Sequence, residues 1–230
     1  MNAPSRPSRI LRGLAGLVLA VGLTLGLAVV PPDAVQGEVQ RIMYLHVPSI
    51  LTAYLAFTVT FVTSLLYLWK RDLRFDAVAV SSAEIGVVLT GITLVTGSIW
   101  GKSTWGVWWT WDARLTLTAV LFTIYVGYLM MRAFAEDPPA AARYGAVLAI
   151  LGFLDIPLNH LAVQWWRTLH QPSSMLRPGG PSMDPVLLLP LLVNLLGLIL
   201  LYSHLLLERM RLERLRTEAM ALRLTRGRRG

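Results

Sequence analysis

Long apolar stretches alternate with short polar ones along the whole chain. The apolar stretches fall at about 13–30, 49–69, 82–100, 114–131, 144–163 and 186–206. Each is long enough, at about 1.5 Å per helical residue, to cross a bilayer core of about 30 Å. Gly, Ser and Thr recur inside them, as where helices pack closely in lipid. The expected fold class is all-α, a polytopic membrane protein of six transmembrane helices with a Trp-rich outer loop. Residues 1–206 form one domain in this reading, and 207–230 a basic tail. The first stretch follows Arg6, Arg9 and Arg12, like a signal peptide. Its apolar part is longer than a signal core and no Ala-x-Ala ends it, so it is expected to remain as a helix.

Composition agrees with the pattern. Of 230 residues, 55% are hydrophobic and only 15% charged, with mean hydropathy +0.57. A soluble chain of this length carries far more charge. The net charge of +8 would suit nucleic acid. Its basic residues instead gather in particular loops, which is the signature of membrane topology. With the N-terminus placed in the cytoplasm, the inner side holds Arg6, Arg9, Arg12, Lys70, Arg71, Arg74, Arg132, Arg143 and the tail arginines 209, 211, 214, 216, 223, 226, 228 and 229. Only Arg41, Lys102, Arg114, Arg167 and Arg177 remain for the outer side. This asymmetry predicts both termini inside. The tail has leucines at helical spacing (Leu212, Leu215, Leu222) and reads as an interfacial helix on an anionic leaflet or a docking element for a cytoplasmic partner.

Three outer loops result, at about 31–48, 101–113 and 164–185. The middle one completes the run Trp100-Gly101-Lys102-Ser103-Thr104-Trp105-Gly106-Val107-Trp108-Trp109-Thr110-Trp111-Asp112. Five indoles in so short a run exceed what membrane-edge anchoring requires, so they read as a built aromatic surface. A helix over 105–112 would put Trp105, Trp108, Trp109 and Asp112 on one face, although Gly106 weakens that expectation.

The chain has four histidines and no cysteine. It can form no disulfide, thiolate metal site or covalent haem attachment of its own. His46 falls in the first outer loop and His170 in the third. Two imidazoles beside a bed of indoles point to a planar metal macrocycle, because haem iron accepts one imidazole on each side of the ring. Each residue also has a plainer role, the indoles as anchors and the histidines as solvated side chains. Arg114, Arg167, Lys102 and Arg41 are candidates to meet haem carboxylates, and Arg114 alternatively pairs with Asp112. His160 lies ten residues before His170, about 15 Å along a continuous helix, which excludes coordination on the same side of one iron. It reads as a packing or hydrogen-bonding residue with room for a second role, and His204 as an interfacial one. Asp155 sits near the middle of the fifth stretch, where a carboxylate is costly. It is expected to carry a proton or to pair with Asn159 or His160, with Pro157 freeing a carbonyl one turn back. Glu84 lies nearer the inner end, more easily solvated.

These residues resemble the CcmC family, membrane haem-handling proteins of bacterial cytochrome c maturation. Trp100-Gly101 through Trp108-Trp109-Thr110-Trp111-Asp112-Ala113-Arg114 resembles the tryptophan-rich WWD signature. Met43-Tyr44-Leu45-His46-Val47-Pro48-Ser49 resembles the first histidine loop. Ile156-Pro157-Leu158-Asn159-His160 with Trp165-Trp166-Arg167-Thr168-Leu169-His170-Gln171 resembles the second. The likeness covers about 40–205. It implies a non-covalent, transient haem b on the outer face of the inner membrane, with His46 and His170 as axial ligands. Trp100, Trp105, Trp108, Trp109, Trp111 and Asp112 would form the platform. The implied partners are a periplasmic haem chaperone (CcmE-like), ABC transporter subunits (CcmA- and CcmB-like) and a small single-span protein (CcmD-like), with delivery rather than autonomous turnover. Asp155 departs from the neutral amide expected there.

Two other functions remain open from the residues. A membrane haem or quinol redox enzyme usually carries both histidines on spans, whereas both are expected in loops here. A haem-transporting permease would need a polar path, for which Asp155 and His160 are thin support. The larger WWD proteins that attach haem to apocytochrome are longer than this chain.

Overall fold

The computed structural model describes residues 6–172, 174, 175 and 179–227, with side chains described only between 8 and 215. Arg177, Arg228 and Arg229 lie outside the described residues, as do the side chains of Arg6, Arg216, Leu222, Arg223 and Arg226. Seven α-helices occur among the described residues: α1 (Arg6–Thr24), α2 (Met43–Lys70), α3 (Leu73–Trp105), α4 (Ala113–Phe134), α5 (Pro138–Phe153), α6 (Asp155–Trp165) and α7 (Pro185–Gly227). A π turn (Leu25–Val29) and a 3-10 turn (Glu38–Ile42) lie between α1 and α2. No strand occurs among the described residues. Among the described residues, six helical segments are long and apolar enough to cross a membrane, the fifth being α5 and α6 together. The chain is a multi-pass membrane protein.

Local chemistry sets the helix ends. Arg71 closes α2 in the left-handed region at φ 55°, and its N–H bonds the Tyr67 carbonyl at 2.8 Å. Asp72 then caps α3 by accepting from the Arg74 N–H at 2.9 Å. Gly106, at φ +79°, ends α3 one residue after Trp105. Asp112 starts α4 by accepting the Leu115 N–H at 3.0 Å.

Three sequence expectations change here. The helix over 105–112 does not form, because Gly106 takes the left-handed geometry that stops α3 and the chain stays irregular up to Asp112. His46 is not in a loop; the helix α2 begins at Met43 and carries it in its first turns. The fifth stretch is not one helix. It breaks at Leu154, whose N–H bonds the Leu151 carbonyl at 3.2 Å, and Pro157 has no N–H to offer the Phe153 carbonyl. Asp155 therefore stands at the first position of α6, where the exposed N–H groups of the helix start favour a carboxyl. It is buried, its Oδ2 has no hydrogen-bond partner, and no bond links it to Asn159 or His160.

The central packing joins α2, α3, α4 and α5 around Phe57, Leu121 and Tyr125. The Phe57 and Tyr125 rings stack at 3.8 Å. Small residues let the backbones approach: Ala53, Ala56, Ala83 and Ala149 are fully buried. The Ser82 hydroxyl donates to the Ala56 carbonyl at 2.7 Å and meets the Tyr202 hydroxyl at 2.9 Å, tying α3 to α2 and α7. α1 lies along α7, with Gly22 against Asn194 and Gly197 against Leu19. At the end away from the tryptophans, Arg132 grips both oxygens of Asp76 at 2.7 and 2.6 Å. Glu84, expected to be solvated, pairs with Arg209 of α7. His204 meets the Ser8 hydroxyl at 3.0 Å. α7 continues past residue 207 without a break.

Gly86 sits where a methyl group would lie 2.6 Å from Phe57, whose ring is locked by Tyr125. Gly86→Ala is expected to destabilise the bundle by about 1–3 kcal/mol through overpacking. Gly91→Ala meets only Phe122, at an ordinary 3.5 Å, and is expected to gain up to about 1 kcal/mol of helix propensity. Thermal unfolding of the two variants in detergent, compared with the parent chain, checks the contrast.

Candidate functional site

One large cavity opens at the tryptophan end of the bundle. α2 contributes His46, Leu51 and Tyr54; α3 contributes Thr93, Gly97, Trp100 and Trp105; α4 contributes Arg114 and Thr118. α6 supplies His160, the following segment His170 and Gln171, and α7 Leu191. Met43, Met175 and Met183 add adaptable apolar surface. The helices supply the walls and the irregular segments the mouth.

His46 points into this space because of its neighbours on α3. Its Nδ1 lies 3.1 Å from the Thr96 hydroxyl. That hydroxyl already donates its proton to the Ile92 carbonyl at 2.7 Å, so it accepts from His46 and Nδ1 carries the hydrogen. Nε2 is left with the lone pair. Gly97 makes room for the ring, since a methyl group there would lie 2.8 Å from His46 Cε1. Trp100 closes the other side edge-on, with ring centroids 5.6 Å apart. The Trp100 indole is itself held by donating to Gln36 at 2.7 Å.

His170 is fixed by a shorter device. Its Nδ1 lies 2.8 Å from the Gln171 carbonyl, which can only accept. Again Nδ1 carries the hydrogen and Nε2 the lone pair. Burial, reinforced by the Arg114 cation, pushes the His170 imidazole down to about 4. The ring is therefore neutral at physiological pH. Trp105 meets it edge-on at 6.3 Å.

The remaining predicted residues divide. Trp100, Trp105, Trp109 and Arg114 line the cavity. The Trp109 Nε1 is buried with no hydrogen-bond partner. Trp108 and Trp111 do not line it; they are 58% and 81% exposed, at the lipid or solvent side of the loop. Asp112 does not line it either. It caps α4 and accepts from the Thr110 hydroxyl at 3.2 Å, which fixes the loop's exit and so the start of the turn bearing Arg114. The Arg114 guanidinium has no ion-pair or hydrogen-bond partner among the described residues, Asp112 included. The other candidate cations are engaged or outside: Arg41 with Glu38 and the Gly26 carbonyl, Lys102 with the Gly106 carbonyl, and Arg167 exposed beyond the lining.

Sequence reasoning missed the floor. Asn159 is fully buried and joins three helices. It accepts from the Tyr54 hydroxyl at 3.0 Å and donates to Thr118 Oγ1 at 2.9 Å and the Arg114 carbonyl at 3.2 Å. It also missed Thr96 and Gly97, whose partner is about fifty positions away in the chain. An interior glycine beside a threonine was the only local sign. His160, set aside on distance, lines the same cavity.

The donor set has a definite chemistry. Two Nε2 lone pairs at one cavity, a guanidinium with no ion-pair or hydrogen-bond partner among the described residues and indole walls complement a flat apolar metal macrocycle that bears carboxylates. No cluster of three His, Asp or Glu residues suited to a bare metal ion occurs among the described residues.

The sequence was compared with known proteins. The sequence model of a family described as heme exporter protein C (CcmC) matches residues 2–225. A heme exporter protein C of Bradyrhizobium diazoefficiens is 40% identical over 199 residues, covering 85% of this chain and 75% of the relative. The protein of the same name from Escherichia coli K12 is 40% identical over 190 residues, covering 82% and 76%. A ccmC-like mitochondrial protein of cytochrome c biosynthesis from Marchantia polymorpha is 37% identical over 186 residues, covering 81% and 78%. This chain belongs to the heme exporter protein C family.

Proposed function

We propose that this chain holds haem at the tryptophan end of the bundle and delivers it to a haem-accepting partner during cytochrome c maturation. The observation that carries this reading is the matched tautomer of His46 and His170: each Nδ1 is tied down and each Nε2 is free at one cavity. Haem supplies an iron whose two axial positions accept such nitrogens. Trp100, Trp105 and Trp109 bed the apolar ring, and the Trp109 N–H has a buried acceptor to gain. Arg114 meets a carboxylate of the cargo. Asp112 acts on the site by positioning Arg114, while Trp108 and Trp111 present an outer aromatic skirt to lipid or a partner. With no cysteine, the chain holds haem b non-covalently and gives it up again.

The partners in this proposal are a periplasmic haem chaperone of the CcmE kind, ABC transporter subunits like CcmA and CcmB, and a CcmD-like single-span protein. The membrane is the bacterial inner membrane, with the cavity on its periplasmic side and both termini cytoplasmic. Its support is the basic end of the bundle, where Lys70, Arg71, Arg74, Arg132 and Arg143 gather with the arginines of α7. Residues 207–230 are then a basic cytoplasmic tail, of which those up to Gly227 continue α7. A redox enzyme gains support from one observation, that His46 is on a spanning helix rather than in a loop. His170 favours delivery, because it sits among the residues after α6 that have no regular structure, 166–172. Quinol-dependent turnover by the purified chain would replace the delivery reading.

Three measurements check the site. The chain purified with ample haem is expected to show a b-type absorption spectrum whose low-spin, bis-imidazole bands are lost when His46→Ala is combined with His170→Ala. A colourless parent chain, or a double variant that keeps its full spectrum, refutes the reading. Arg114→Gln is expected to weaken haem binding by about tenfold, the worth of roughly 1.4 kcal/mol for a charge-assisted bond. It should leave unchanged the binding of haem whose carboxylates are esterified; equal loss for both refutes the carboxylate contact. In the haem-free chain, the His170 ring is expected to titrate near pH 4 by NMR. The unfolded chain takes up that proton near 6.5, so stability falls as pH drops from about 6.5 to about 4 and this contribution then levels off.

A further inference from the structure

We infer that His160 is an exchange ligand: a third imidazole of the cavity that takes the iron from His170 as the cargo is released. The inference rests on the proposed haem site and goes beyond it. His160 lines the same cavity as His46, His170 and Arg114. Unlike the other two histidines, it has no hydrogen-bond or ion-pair partner for either ring nitrogen among the described residues. An imidazole with both nitrogens free can rotate and offer a lone pair without first breaking a contact.

The three rings do not converge into a bare-metal cluster. His160 is therefore assigned a substitute's role rather than a third simultaneous one. The two anchored histidines differ in how firmly they are held. His46 is on α2, hydrogen-bonded to a neighbouring helix, seated against Gly97 and covered by Trp100. His170 has only local hydrogen bonds, from Nδ1 to the Gln171 carbonyl and from its backbone N–H to the Thr168 hydroxyl, with one edge contact to Trp105, in residues without regular structure. His170 is the side that can leave. His160 is on α6, whose last turns lead into that same segment at Trp166, and its position on the helix stays fixed when the segment moves.

The exchange is a ligand substitution. One iron–nitrogen bond to His170 breaks and one to His160 forms; both imidazoles are neutral and no electron or proton changes hands. His170 keeps its Nδ1 hydrogen on the Gln171 carbonyl and is free to move with the segment. His160 thereby offsets the loss of one coordination bond to the cargo.

The test uses the full chain in detergent, loaded with haem, as parent, His170→Ala and His160→Ala/His170→Ala, read by absorption and ferric electron paramagnetic resonance. The parent is expected to be six-coordinate and low-spin. His170→Ala is expected to stay low-spin through His160. The double variant is expected to become five-coordinate and high-spin, to hold at least fivefold less haem, and to regain the low-spin signal with added free imidazole, which shows an intact cavity. A low-spin parent with identical spectra and haem content for the single and double variants overturns the exchange role and leaves the site itself standing. A parent without a bis-imidazole signal overturns the haem site, and the exchange with it.

Discussion

A neutral imidazole has one lone pair, and the nitrogen that bears it is decided by what the other nitrogen does. Everything at the tryptophan end of this bundle follows from that constraint. Thr96 has no proton left for His46, because it donates to its own helix. The Gln171 carbonyl has none at all. Both rings are obliged to donate from Nδ1, which leaves the Nε2 lone pair on two residues that line the same cavity. An iron ligand whose other nitrogen is held in this way is fixed in tautomer and orientation, and its basicity rises. Low proton affinity at His170 keeps the lone pair available at neutral pH.

The remainder of the fold supplies rigidity to these two positions. The α2–α3 contact carries His46, Thr96 and Gly97 together, and the close approach of the two helices is set deeper down by Ala56, Ser82, Gly86 and Phe57. Asn159 ties α6 to α2 and α4 directly below the cavity. Asn159 and His160 lie on α6, just past the break at Leu154. Arg114 is left uncompensated in a half-buried place, an expensive arrangement unless an anion completes it.

The six spans, the polarity of the two ends and the gathering of His46, His170 and three of the five loop tryptophans were legible in the sequence. They rest on features that act locally: apolar run length, basic residues near span ends, and aromatic density. What was not legible depends on contacts between distant positions. His46 seemed a loop residue because polar and apolar residues mix from Glu38 to Ser49, yet tertiary packing against α3 lets the helix start at Met43. Trp105 to Asp112 had helical spacing, but one left-handed glycine outweighed it. Asp112 belonged to a recognisable motif, and only coordinates show that its carboxylate caps a helix. Distance along an assumed straight helix removed His160 from consideration; the end of α6 at Trp165 brings the following segment, and His170 with it, back to the same cavity.

The central claim is that iron sits between two Nε2 atoms against an indole wall. Determining the structure of the haem-loaded chain in a lipid nanodisc tests it most directly. The account predicts the iron bonded to Nε2 of His46 and Nε2 of His170, the macrocycle against Trp105 and Trp109, and a haem carboxylate on Arg114. Iron bonded through Nδ1 of either ring, or a haem seated outside the cavity that His46 and His170 share, would contradict it.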